Sequence, residues 1–149
     1  MNAKLLAVVS VVILLAADAA KEDDASKKDA EKMQGDWAAV SMVQDGTKYP
    51  NDDAQSFFRT VKGDEYTVFH FDQPLAKWKF KLDATKKPKT IDVVKPDDDK
   101  APAVLGIYEF DGDKFKLCVA APGKDRPKEF ESKEGSGQTL SVWVREKKK

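Results

Sequence analysis

Residues 77–82 read Lys-Trp-Lys-Phe-Lys-Leu, and this strict alternation puts Trp78, Phe80 and Leu82 on one face of an extended segment with three lysines on the other. A strand with one face in a core and one in water requires that arrangement. Shorter runs of similar character occupy residues 37–43, 56–62, 65–71, 89–94, 104–110, 115–120 and 139–146, which makes eight predicted strands. Turn chemistry separates several of them: Gly63-Asp64, Asp111-Gly112-Asp113 and Gly135-Ser136-Gly137 each offer the positive φ that tight connections use. Asp97-Asp98-Asp99-Lys100, between Pro96 and Pro102, reads as an exposed loop. Short strands joined by such turns, with no long helical pattern among them, predict an all-β domain built as a meandering antiparallel barrel or a flattened version of one.

The pattern is different at the start of the chain. After Lys4, residues 5–17 carry no charge and one polar side chain, Ser10. The run is shorter than the roughly 20 apolar residues a membrane-spanning helix needs, but suits the apolar core of a secretory signal peptide. Ala17-Asp18-Ala19 supplies small residues where a signal peptidase reads them, so residues 1–19 are expected to be removed and the protein to be exported to the periplasm or beyond. Residues 20–33 are rich in charge, with Asp23/Lys27 and Asp24/Lys28 spaced for pairing along a helix. They are expected to form a solvated, partly helical tether. The β domain is then residues 34–146, and residues 147–149 form a basic tail.

Composition narrows the partners. Twenty-six basic residues balance twenty-six acidic ones, so neither a nucleic-acid footprint nor a polybasic membrane patch is present. No nucleic-acid partner is expected, nor stable membrane insertion after cleavage. Charged residues make up 35% of the chain, above the roughly 25% of an average protein, so a modest core must be wrapped in a dense, mixed-sign surface. Cys118 is the single cysteine, which excludes an internal disulfide, and its apolar surroundings suit a buried structural thiol.

Certain residues also carry a resemblance. Gly35-Asp36-Trp37 at the first strand, with Arg145 in the last, resembles the Gly-x-Trp and closing-strand arginine of lipocalin-like barrels. The stretch at residues 81–92 is similar to a segment of a family of exported, lipocalin-like bacterial domains of unassigned function, abundant in planctomycetes. So are Leu105-Gly106-Ile107-Tyr108-Glu109, Leu117-Cys118, Pro122-Gly123, Arg126-Pro127, Glu129-Phe130 and Gly135-Ser136-Gly137. The resemblance spans roughly residues 33–146 and implies an up-and-down barrel of about eight strands, closed at one end by Arg145 packed over Trp37. It implies no catalytic residues. Typical lipocalins are longer, so any lumen here is expected to be smaller.

Catalytic chemistry finds little purchase. His70 is the only histidine, and no zinc-protease motif, nucleophile elbow, phosphate loop or cysteine pair is present. His70 alternates with Tyr66 and Val68 and is read as a half-buried structural residue; Ser136 is read as a turn residue. The Asp97–Asp99 run lacks the alternating ligands and glycine of a calcium loop. No enzyme activity, metal or cofactor is expected. Trp78, Phe80, Tyr108 and Phe115 remain as candidate lumen residues, since an eight-stranded barrel is either just filled by side chains or just able to hold one small ligand. The short chain favours a filled interior. Two readings stay open: an exported module binding an apolar or amphipathic small molecule, and a structural or interaction domain meeting an envelope protein.

Overall fold

The computed structural model describes residues 24–146. The expected signal peptide, the Asp23/Lys27 pair and the basic tail lie outside the described residues. Within them the strands are β1 Gly35–Gln44, β2 Thr47–Lys48, β3 Phe57–Lys62, β4 Glu65–His70, β5 Gln73–Asp83, β6 Lys89–Val94, β7 Val104–Asp111, β8 Lys114–Val119 and β9 Thr139–Arg145. Helix α1 covers residues 24–33, and the single turn α2 covers Asn51–Ala54. β1 and β3 to β9 pair antiparallel in chain order, and β1 pairs again with β9, which closes an eight-stranded up-and-down barrel of lipocalin-like form. Closure leaves the barrel strands no unpaired edge, the main hazard of a small antiparallel sheet.

The eight expected strands are all present, and the additional β2 comes from a tight hairpin. Asp45 and Gly46 take φ of 48° and 80°, the two positive values of a type I′ turn. A Cβ on Gly46 would also meet the Glu134 backbone nitrogen at 2.5 Å, so glycine is required there twice over.

Alternation along the strands sets what faces inward, and two bulges reset it. In β1 the pairing with β9 skips Val40, so the inward set passes from Trp37 and Ala39 to Met42. In β5 the pairing with β4 skips Leu75, which is left 58% exposed. A one-residue bulge of this kind exchanges the faces of everything beyond it. Outside, lysines of the alternating strands pair across the sheet, Lys77 with Glu65 and Lys116 with Glu109, each at 3.0 Å. Exposed pairs of this sort contribute about 0.2–1 kcal/mol, so they tune the register rather than hold the barrel.

Residues 24–33, expected as a solvated tether, instead form a helix docked on one end of the barrel. Its inner face is Ser26, Asp29, Ala30 and Met33, at helical spacing, with Met33 1% exposed. Half of that face is polar, which is why hydrophobic patterning misses it. The polar half is specifically partnered: the Tyr108 hydroxyl and Lys89 Nζ both donate to Asp29 Oδ2 at 2.8 Å, and the Ala84 N–H donates to Ser26 Oγ at 3.0 Å. Gln34 bridges the helix end to the β3–β4 turn, donating to the Ala30 and Gly63 carbonyls and accepting from the Gly63 N–H.

Trp37 and Arg145 complete this closed end. The Trp37 indole donates to the Met33 carbonyl at 2.8 Å, and the Arg145 guanidinium carbon lies 4.4 Å from the centroid of the Trp37 ring. Arg145 also donates to the carbonyls of Lys32 and Gln34, groups that a helix C-terminus leaves unpaired. Replacing Arg145 with Ala removes a cation–π contact and two charged hydrogen bonds at once. The expected loss is about 1–3 kcal/mol, read as a lower urea midpoint with unchanged slope, and Arg145→Lys should recover only part of it because a single ammonium cannot replace the planar fork.

Candidate functional site

The inward positions are not uniform along the barrel axis. In the half beneath α1 they are bulky: Phe115 has Trp37 at 5.8 Å, Tyr108 at 6.1 Å and Phe110 at 5.2 Å between ring centroids. In the other half the inward positions of β4 and β6 to β9 include Val68, Val93, Val104, Val119, Thr139 and Ser141, smaller side chains set among Tyr66, Leu117 and Trp143. Small side chains around the same circumference cannot meet in the middle. What remains is a cavity of about 240 Å³, open on one side and lined by residues from all eight barrel strands. The filled interior expected from the length of the chain is therefore present in one half only.

Of the four candidate lumen residues, Trp78 alone lines this cavity, half-buried, with Lys95 Nζ 5.9 Å from its ring centroid. Phe80, Tyr108 and Phe115 belong to the packed half, at 6%, 0% and 1% exposure. The correction follows from strand rise: moving two residues along β5, from Trp78 to Phe80, shifts a side chain by about 6.5 Å along the strand, out of the hollow half and into the filled one. Tyr108 is held there by Asp29, and burial together with that carboxylate pushes its phenol far above the ordinary tyrosine range.

The residue that sequence reading passed over is Arg59. Its position in Phe57-x-Arg59-x-Val61 has inward parity, and the structure buries it against the cavity at 4% exposure. Its guanidinium carbon lies 4.3 Å from the Tyr66 ring centroid and 4.5 Å from that of Trp143, rings supplied from opposite sides of β3. Those contacts engage the π faces of the aromatics. Nε and Nη1 are buried with no hydrogen-bond partner, and among the described residues no carboxylate forms an ion pair with this arginine. Burial lowers its pKa and raises that of Tyr66. The one legible signal was a charged residue on the inward side of an alternating strand.

A larger groove of about 780 Å³ lies on the outer surface, between the β5–β6 connection and Arg126-Pro127. Its arginine is already engaged, because Arg126 donates to the Ile91 and Gly106 carbonyls and, at 2.6 Å, to Asp92. It clamps the segment between β8 and β9 to the barrel wall, where Cys118 is also covered: the thiol donates to the Glu131 carbonyl at 3.3 Å, and burial raises its pKa. His70 is half-buried and stacks on Phe57 at 4.6 Å. Ser136 donates to the Lys133 carbonyl inside its turn, and Asp98 caps the N–H groups of Lys100 and Ala101. Among the described residues no group of His, Cys, Asp and Glu is gathered to hold a metal ion.

Comparison of the chain with family models, curated proteins and solved structures finds no match. The cavity and its arginine are thus the observations that bear on function.

The two tyrosines give the fold a pH signature. Folding keeps Tyr66 and Tyr108 protonated, whereas in the unfolded chain they release protons near pH 10. The unfolded state then binds fewer protons than the folded one, so stability falls as pH rises above about 10. Urea midpoints measured from pH 8 to 11.5 should begin to fall as the unfolded Cys118 thiol ionises, because burial raises its pKa too, and drop further at the alkaline end as the tyrosines follow. Tyr66→Phe should make that drop shallower.

Proposed function

We propose that this protein is a small exported binding module that takes an apolar or amphipathic small molecule into the open half of its barrel. The observation that carries this reading is the 240 Å³ cavity, enclosed by every barrel strand and walled mainly by Val, Leu, Met, Phe and Trp side chains. Ligand sites are concave, mostly apolar and supplied with few polar groups, and this cavity has that character at a volume just below the usual range of roughly 300–1,000 Å³. A water molecule occupies about 30 Å³ in the liquid, so the space corresponds to about eight non-hydrogen atoms, with room for a tail to leave through the open side. Among the described residues, nothing in the chemistry of the site calls for a reaction: no nucleophile is paired with a base there, and the one charged lining residue is an arginine. The apolar run at residues 5–17 supports export of the module.

The test is titration of the protein with a series of straight-chain 1-alkanols, followed by tryptophan fluorescence, since Trp78 and Trp143 both line the cavity. Saturable binding is expected, with affinity rising by about 0.8 kcal/mol per buried methylene and levelling near eight carbons. Val119→Phe, which fills the cavity from β8, should abolish the signal while leaving the fold intact. A wild-type protein indifferent to the whole series would favour the structural, envelope-interacting reading.

A further inference from the structure

The cavity is apolar except for a few hydroxyls and one cation, and that cation is unusual in being left incomplete. Burying a guanidinium away from water costs free energy unless its N–H groups are paired, and buried charges are almost always compensated by an opposite charge. Arg126 shows how this chain completes an arginine it uses structurally, with two carbonyls and a carboxylate on its N–H groups. Arg59, far more deeply buried, receives two aromatic rings and no acceptor on Nε or Nη1. The rings of Tyr66 and Trp143 fix where the guanidinium sits. Nε and Nη1 are covered by the protein itself, so the charge this arginine brings to the cavity wall is left without an acceptor inside the fold.

We propose that Arg59 is the anion-recognising residue of this cavity, and that the ligand is a small monocarboxylate with an apolar body, its carboxylate on Arg59 and its body along Val68, Val104 and Val119. This rests on the binding reading above and specifies the chemistry of its ligand. One charge is the right number. Among the described residues Arg59 is the only charged one lining the cavity, so a monoanion leaves that lining neutral, whereas a phosphate dianion would bring in a second charge with nothing there to compensate it. The planar, two-oxygen carboxylate also matches a planar fork of donors held in place on aromatic rings. Ser141 adds a neighbouring hydroxyl whose oxygen already accepts the Trp143 indole N–H at 2.8 Å, leaving its own hydrogen to donate.

The test compares three ligands of equal length by calorimetric titration of the purified protein at pH 7.5: octanoate, 1-octanol and octylammonium. Octanoate is expected to bind about 10- to 100-fold more tightly than octanol, the effect of hydrogen bonds to a charged group, and octylammonium not to bind. Arg59→Met should lose that preference while holding octanol within about threefold. The wild-type ratio of octanoate to octanol decides by itself if Arg59→Met does not fold. Equal wild-type affinity for the two would overturn the role of Arg59 and leave the binding module standing, as would undiminished octanoate binding by a folded Arg59→Met. Failure of all three ligands to bind would overturn both.

Discussion

Trp37 hydrogen-bonds the last turn of α1 through its indole nitrogen and carries the Arg145 guanidinium on its ring, so that the first strand, the last strand and the helix meet on one side chain. Much of the architecture depends on that meeting. Pairing of β1 with β9 closes the barrel, and the register at the closed end sets Trp37 opposite Arg145. Once Arg145 satisfies the carbonyls of Lys32 and Gln34, the helix has a fixed terminus to pack from, and Met33 is driven into the barrel end. The closed end is therefore a joint of apolar burial and complete hydrogen bonding, which is the condition under which polar groups such as Asp29 can be buried at all.

Filling one end so thoroughly has a consequence at the other. Aromatic side chains from β1, β7 and β8 converge under the helix, and the same strands present Met42, Val104, Leu117 and Val119 further along. A barrel of this strand number has a circumference fixed by geometry, so smaller inward side chains translate directly into empty space. The protein thus combines a rigid, packed half with a hollow half. Rigidity in the first is what preorganises the second, since the cavity-lining strands run on into the packed half.

Arg59 gives that hollow half its chemical character. An apolar cavity accepts apolar molecules with little discrimination, whereas a single desolvated cation selects by charge, because leaving it unpaired or opposing it with another cation is costly. Stacking on Tyr66 and Trp143 lets the fold tolerate the charge.

Whereas the contact of Trp37 with Arg145 was expected only from the resemblance to lipocalin-like barrels, the eight strands and their turns were legible in the sequence because alternation and turn chemistry are local properties, written within a few residues of where they act. So was the inward side of β5, from Trp78 to Leu82. Three features were decided only by the tertiary structure. Helix α1 docks through Asp29 and Ser26, whose partners Tyr108, Lys89 and Ala84 are distant in sequence, so a segment that reads as solvated by composition becomes part of the core. The bulges at Val40 and Leu75 exchange faces that alternation alone would have carried straight on. Whether the interior is filled depends on which inward residues share a level of the barrel, and that is set by the stagger between strands rather than by any one of them. Phe80, Tyr108 and Phe115 fell at the packed level and Trp78 at the hollow one. Arg59 faced inward by its own parity, but that it would face a cavity with donors unspent followed only from where the other strands placed their smallest side chains.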